Sequence, residues 1–159
     1  MKIVLAADPF AYGLKKALAA HLSKQMHEIV DADNYKGVAY YDAAATASGM
    51  IQNGHANCGI LLCGTGAGMS IVANKFSGIC AVAVESVFTA ARARAINNAN
   101  VITMGAMVVG EAMACEMADV WLKTKFTQGL EELAGFLNDA VKAVDAIDAQ
   151  NRKMEHETK

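Results

Sequence analysis

The 159-residue sequence lacks several features that would assign it quickly to a functional class. It has no run of about 18 apolar residues, and its first apolar stretch, residues 3–7, is too short for a signal peptide, so we expect no membrane span and no leader. It has no basic cluster and a formal net charge of −2, which argues against nucleic acid as the main partner. No cysteines or histidines have the spacing of a metal site or a disulfide framework. We therefore expect no metal, no cofactor and a reducing compartment such as the cytoplasm.

Apolar residues, in contrast, are abundant. They make up 54% of the chain while charged residues make up 19%, a little high and a little low for a soluble monomer. The length suits one domain with a proper core. We expect some of the apolar surface to be buried against another copy of the chain, in a homodimer or homotetramer.

Short apolar runs alternate with amphipathic segments along the chain, which predicts alternating strands and helices. Five runs are predicted as strands: residues 3–7, 28–32, 60–62, 79–84 and 101–104. Such alternation predicts an α/β fold with three α/β/α layers, an open, parallel, five-stranded, Rossmann-like sheet and an extra C-terminal helix. We expect a catalytic domain over residues 1–126, a helix over 127–148 that packs on the domain or on a partner subunit, and a polar, flexible tail over 149–159.

The most informative segment runs from Cys63 to Gly68. A buried strand delivers the Cys63 thiol onto a loop with glycine at positions 64, 66 and 68, and a helix is predicted to begin behind the loop. This arrangement places backbone N–H groups and the positive end of a helix dipole beside one sulfur. It suits an anion, or a substrate oxygen that becomes anionic during reaction. We interpret the other three cysteines as small buried hydrophobes.

Two carboxylates also follow predicted strands, Asp8 after the first and Glu85 after the fourth. Because ligands of parallel sheets bind beyond the carboxyl ends of the strands, we expect Asp8, Cys63 and Glu85 to share one pocket. Tyr40 lies in a polar loop, where it either lines that pocket or simply precedes the next helix. Nucleotide binding by the glycine loop is disfavoured because no Gly-x-x-x-x-Gly-Lys motif occurs.

Residues 63–70, Cys-Gly-Thr-Gly-Ala-Gly-Met-Ser, resemble the signature of the ribose-5-phosphate isomerase B family, which includes the galactose-6-phosphate isomerase subunits. The resemblance extends from Met1 to about Phe126 and includes the segment Asn97–Val101. It implies a dimer with active sites between the subunits. It also implies metal-independent aldose–ketose isomerisation of a sugar phosphate through a cis-enediolate.

The resemblance also implies roles for single residues. Cys63 matches the base that moves a proton between C1 and C2, and Thr65 is positioned to donate a hydrogen bond to the enediolate oxygens. The substrate-binding residues implied by the resemblance or by their place in the predicted pocket are Asp8, Tyr40, Gly64, Gly66, Ala67, Gly68, Arg94 and Asn97.

The sequence departs from the family pattern at three places. Asp8-Pro9 stands where the family reads Asp-His, and Glu85-Ser86 stands where the resemblance places a ring-opening histidine. Glu85 is either a replacement base or an ordinary carboxylate at a helix N-terminus. The arginine-rich C-terminal segment is absent, and Glu131-Glu132 would repel a phosphate dianion. The phosphate site is thus either lost or rebuilt from other cations; the candidates are Arg92, Arg94, Lys15 and Lys75.

Two hypotheses follow. The first is an aldose–ketose isomerase acting on a ribose 5-phosphate-like substrate or on a tetrose 4-phosphate, which cannot close a furanose ring and needs no ring-opening group. The second is a non-catalytic or partner-dependent subunit, or a sugar-binding protein of the same fold.

Overall fold

The computed structural model describes residues 1–157, with side chains described to residue 153. The strands are β1 (Lys2–Ala7), β2 (Glu28–Asp31), β3 (Cys58–Cys63), β4 (Ala81–Ala83) and β5 (Val101–Gly105). The helices are α1 (Tyr12–Lys24), α2 (Tyr40–Gln52), α3 (Ala67–Ala73), α4 (Val87–Ala95), α5 (Glu111–Lys123) and α6 (Ala134–Glu157). Short 3₁₀ turns lie at Pro9–Ala11 and Glu131–Leu133.

The five strands form one parallel sheet in the order β2-β1-β3-β5-β4. The chain leaves β1 toward β2 on one side and returns to β3 on the other, so the topological switch point lies between β1 and β3. Every residue of β3 is buried, as expected for the central strand of a sheet covered on both faces. The predicted fold class, three layers with a parallel five-stranded sheet, is confirmed.

Two apolar cores flank the sheet. One face packs against α1, α4 and α5, and its largest fully buried side chain is Trp121, whose Nε1 donates a hydrogen bond to the Ala99 carbonyl at 3.2 Å. The other face packs against α2 and α3, and Cys63 lies on this face together with Met69. Alternation of side chains along β3 therefore points the thiol toward the helix that follows the glycine loop.

The C-terminal helix is longer than the sequence suggests. Helix α6 begins at Ala134 and runs to Glu157, through most of the segment expected to be a polar tail, while residues 158–159 lie outside the described part. Polar composition led to the expectation of a tail, but an ion pair between Arg152 and Asp148, four residues apart, supports helix there. The apolar face of α6 is largely uncovered, with Phe136, Val144 and Ile147 at least 60% exposed.

No helix in residues 1–157 combines the length and the apolar character needed to cross a membrane.

Candidate active site

Cys63 and Asp8 lie side by side at the switch point of the sheet. Cys63 is the last residue of β3 and is 6% exposed, and Asp8 directly follows β1, with its N–H donating to the Leu62 carbonyl at 3.2 Å. The Asp8 carboxylate accepts a hydrogen bond from the Phe10 N–H at 3.0 Å, which fixes the turn after β1. The expected meeting of these two residues at one edge of the sheet is thus observed. We call this edge, formed by the strand ends and the first turns of the helices that follow them, the thiol edge.

The Cys63 sulfur accepts a hydrogen bond from the Gly66 N–H at 3.1 Å. Gly66 has φ +81, and a Cβ there would lie 2.9 Å from the Met104 carbonyl carbon, so both conformation and space require glycine. The buried Thr103 hydroxyl donates a hydrogen bond to the Gly66 carbonyl at 2.8 Å and so ties the loop to β5. A thiolate accepts such a bond more strongly than a thiol does, so the contact suits a cysteine that accepts a proton.

The loop also presents unused backbone donors. Within residues 1–157, no protein acceptor takes the N–H groups of Thr65, Ala67 or Gly68. Ala67 and Gly68 open α3, so their N–H groups have no partner within that helix. Donors fixed in this way beside a thiol are suited to hold the oxygens of an enediolate.

Two side chains flank the loop. The Tyr40 ring lies against Gly68, where a Cβ would come within 2.7 Å of the Tyr40 Cε2 atom. On the other side, the Met107 sulfur lies 3.4 Å from where a Cβ on Gly64 would be, and Met107 is 63% exposed. The structure therefore brings Tyr40 to the predicted pocket. Sequence reasoning missed Met107, although its position two residues after β5, the neighbour of β3, could have indicated it.

Glu85 lies at the thiol edge but away from the thiol. It follows β4, which is separated from β3 by β5, so two strand spacings of about 4.8 Å put Glu85 roughly 10 Å from Cys63. Ser86 caps α4 through a capping box with Thr89, and the Glu85 N–H donates to the Thr89 hydroxyl at 3.3 Å. The exposed Glu85 carboxylate makes no hydrogen bond or ion pair with the side chains that the structure describes, those of residues 1–153.

Arg94 and Asn97 lie at the opposite end of the sheet. The Arg94 guanidinium stacks on Trp121 at 4.8 Å, and burial lowers the pKa of Arg94 while the nearby Cys58, the first residue of β3, acts in the opposite direction. The Asn97 carbonyl accepts from the Cys80 thiol at 3.5 Å, just before β4 begins. Because β3 is roughly 16 Å long, neither side chain belongs to the same pocket as Cys63 within one chain.

A groove of about 770 Å³ opens beside these two residues, between α6 and the amino ends of the strands. Its lining mixes amides with the apolar face of α6; it includes Asn74, Arg94, Ile96, Asn97, Phe136 and Val144.

Lys15 is not available to bind a phosphate, contrary to one of the options left open by the sequence. Its side chain is 1% exposed, and its ammonium group lies 2.5 Å from Asp31 and 2.7 Å from Asp33. Asp33 in turn accepts hydrogen bonds from the N–H groups of Ala7 and Tyr35 at 2.7 and 2.9 Å. Lys15 therefore stabilises the end of β1 and the loop that leads to Tyr40.

The remaining cysteines are poor nucleophiles. Burial raises the pKa of the Cys58 thiol to about 11 and also raises the pKa values of Cys80 and Cys115. Within the part of the chain that the structure describes, no cluster of three or more histidine, cysteine or acidic side chains has the geometry of a metal site.

Comparison with known proteins identifies the family. The ribose/galactose isomerase family model matches residues 3–134. The chain is 41% identical over 152 residues to the 4-deoxy-4-sulfo-D-erythrose isomerase of Clostridium sp. (strain MSTE9), covering 93% of this chain and 96% of the relative. It is 39% identical over 132 residues to the D-erythrulose-4-phosphate isomerase of Pectobacterium atrosepticum, covering 81% of this chain and 87% of the relative.

Solved structures agree with this assignment. Ribose-5-phosphate isomerase B of Clostridium thermocellum superimposes with a TM-score of 0.87 at 32% identity, covering 95% of this chain and 99% of the neighbour. The resemblance inferred from residues 63–70 is thereby confirmed. The chain belongs to the ribose/galactose isomerase family of sugar-phosphate aldose–ketose isomerases.

Proposed function

We propose that the protein interconverts the aldose and ketose forms of a four-carbon sugar that carries an anionic group at C4, with Cys63 as the proton-transferring base. This proposal rests on the surroundings of the Cys63 sulfur. The sulfur accepts a hydrogen bond from the Gly66 N–H at 3.1 Å, and the neighbouring backbone N–H groups of the loop have no protein acceptor within residues 1–157. Two relatives whose names specify four-carbon substrates support the choice of substrate length.

The chemistry follows from the position of the donors. The Cys63 thiolate removes the proton from C2 of the open-chain aldose, and the electron pair moves onto the carbonyl oxygen to form the enediolate. The N–H groups of Thr65, Ala67 and Gly68, with the Thr65 hydroxyl, stabilise the two oxygens as charge develops on them. The hydroxyl proton on O2 moves to O1, and the Cys63 thiol returns its proton to C1, which gives the ketose and regenerates the thiolate.

The placement of the histidines supports an open-chain substrate. Three of the four histidines, at positions 21, 27 and 55, have described side chains, and all three lie at the end of the sheet remote from Cys63. The His21 Nε2 atom lies 2.8 Å from the Asp119 carboxylate, so this imidazole already has a partner. A tetrose blocked at C4 cannot close a furanose ring, so its isomerisation needs no imidazole for ring opening. Glu85 remains the candidate for ring opening if longer sugars are also used.

The proposal includes a second copy of the chain. Arg94 and Asn97 lie too far from Cys63 to act in their own chain, and they line a groove beside the uncovered apolar face of α6. In a two-fold dimer, the edge of the sheet where the strands begin in one copy meets the thiol edge of the other copy. Arg94 and Asn97 then contact the substrate that is held by the glycine loop of the partner. A thiol base also requires a reducing compartment, which favours the cytoplasm.

Substrate length is tested by measuring kcat/KM for erythrose 4-phosphate, 4-deoxy-4-sulfo-erythrose and ribose 5-phosphate on the purified protein. We expect both four-carbon compounds to exceed ribose 5-phosphate, and the reverse ranking would contradict the proposal. Absence of turnover until a second family member is added would instead support a partner-dependent subunit.

The shared site is tested by mixing two variants that are inactive alone, Cys63→Ala and Arg94→Ala. Random exchange between two-fold dimers makes half of them hybrids, each with one intact site, so we expect about a quarter of wild-type activity. Activity that stays at the level of the separate variants would exclude a site shared between copies. Mixing Cys63→Ala with Cys63→Ser serves as the control, because no hybrid of these two has an intact site.

A further inference from the structure

Acidic groups outnumber basic groups at the thiol edge. The acidic side chains there are Asp8, Asp31, Asp33, Asp42, Glu85 and Glu111. The basic side chains there are Lys15, Lys16 and Lys36. The six carboxylates and three ammonium groups give this edge a formal charge of −3. Such a surface disfavours an anionic substrate in proportion to the charge that the substrate brings.

One of the three lysines of this edge is already compensated by carboxylates. Lys15 is buried between two carboxylates at 2.5 and 2.7 Å, so it adds no attraction for a ligand. The other two lysines of the edge are exposed, where water and salt screen their charges.

Arginine, the side chain best suited to hold a phosphate dianion in two parallel hydrogen bonds, is scarce. The chain has three arginines. Arg152 pairs with Asp148 at 2.8 Å, Arg92 stacks on the Phe88 ring at 5.3 Å, and Arg94 stacks on Trp121. The Arg94 groove also carries two carboxylates, Asp145 and Asp148.

We infer that the terminal group of the substrate is a monoanionic sulfonate in preference to a dianionic phosphate. This inference rests on the proposed four-carbon isomerase activity and specifies the class of its substrate. A sulfonate keeps three tetrahedral oxygens for hydrogen bonding but carries one negative charge at every accessible pH, whereas a phosphate monoester carries close to two near pH 7. One half-buried guanidinium against an acidic edge compensates one charge, not two.

The preference for the sulfonate over the phosphate should change with pH, because the phosphate substrate itself ionises in the accessible range. The second ionisation of a phosphate monoester lies near pH ~6, so the ester is mainly a dianion at pH 7.5 and mainly a monoanion at pH 5.5. The charge of the sulfonate does not change over this range. The preference for the sulfonate therefore shrinks as the pH falls.

The experiment measures kcat/KM of the full-length protein for 4-deoxy-4-sulfo-erythrose and erythrose 4-phosphate at pH 7.5 and 5.5. We expect a preference for the sulfonate of about tenfold or more at pH 7.5, falling several-fold at pH 5.5. Neutralising an exposed carboxylate of the edge by Asp42→Asn should also narrow the preference at pH 7.5. The matched control, Glu28→Gln, removes a carboxylate at the amino end of β2, the edge strand on the other side of the sheet from β4 and Arg94, and should leave the preference unchanged.

The outcomes separate this inference from the proposal on which it rests. Faster turnover of erythrose 4-phosphate at pH 7.5, or a ratio that does not change with pH, overturns the inference and leaves the four-carbon isomerase standing. Turnover of ribose 5-phosphate with neither four-carbon compound used overturns both. An equal response of the ratio to Asp42→Asn and Glu28→Gln also counts against the inference, because the preference would then not depend on charge at the thiol edge.

Discussion

Replacing Lys15 with methionine should destabilise the protein strongly, although the substitution keeps the size of the side chain. Lys15 is 1% exposed, and its ammonium group contacts Asp31 and the fully buried Asp33 while lying 4.1 Å from the centroid of the Tyr35 ring. Lys15→Met removes the only cation of this cluster and leaves the Asp33 carboxylate buried without a counter-charge.

The size of the destabilisation depends on how well the two carboxylates are stabilised once the ammonium group is removed. Removing one partner of a buried ion pair typically costs about 3–5 kcal/mol, because the other charge stays uncompensated. Here two backbone N–H groups still bond Asp33, and the Asp31 side chain is 30% exposed and can be hydrated. We therefore expect a loss near the lower end, about 3 kcal/mol in the free energy of unfolding.

Equilibrium unfolding in urea, monitored by circular dichroism, measures this loss. The matched control is Lys16→Met at the adjacent exposed position, which should change the free energy of unfolding by less than about 0.5 kcal/mol. Adding Asp33→Asn to Lys15→Met removes the orphaned charge and should restore part of the stability. A loss below about 1 kcal/mol for Lys15→Met, or one equal to that of the control, would refute the reasoning.

Three further predictions concern the loop and the helix layer. A Cβ on Gly105 would lie 2.6 Å from the Thr65 carbonyl carbon, so Gly105→Ala should displace the glycine loop that follows Cys63. We expect kcat to fall by about 10²-fold, measured in steady-state assays. Thr103→Val removes the hydroxyl that donates to the Gly66 carbonyl and should cost about 1–3 kcal/mol in the free energy of unfolding, measured in urea. Burial raises the pKa of Asp119, but hydrogen bonds from two side chains lower it by more, so the pKa lies below its usual value. Its contribution to stability is therefore present at neutral pH and lost in acid, so the melting temperatures of wild type and Asp119→Asn should differ at pH 7 and converge below about pH 4.

Much of the site could be read from the sequence because its signal is local. The strand, the thiol and the alternating glycines of residues 58–68 are consecutive, and the structure requires glycine at 66 for reasons of conformation and space. The alternation of apolar runs and amphipathic segments likewise predicted five strands at the positions along the chain where the structure has them.

Features that depend on distant contacts could not be predicted. Lys15 follows Leu14 in an amphipathic helix and looks like a surface residue, because its partners lie 16 and 18 positions away on another segment. Asn97 and Arg94 were expected to bind the substrate, but α4 runs back along the sheet and carries them to the end remote from Cys63. We propose above that they act on the substrate of a second copy, and the position of such a partner is not evident from the order of residues in one chain.

The central claim is that Cys63 moves the proton, and hydrogen exchange into substrate tests it most directly. Proton NMR of 4-deoxy-4-sulfo-erythrose and erythrose 4-phosphate in heavy water reports deuterium entering C1 or C2. We predict incorporation with the wild-type protein and with Cys58→Ala, and none above background with Cys63→Ala. Incorporation that persists in Cys63→Ala would show that another group is the base and would contradict the account.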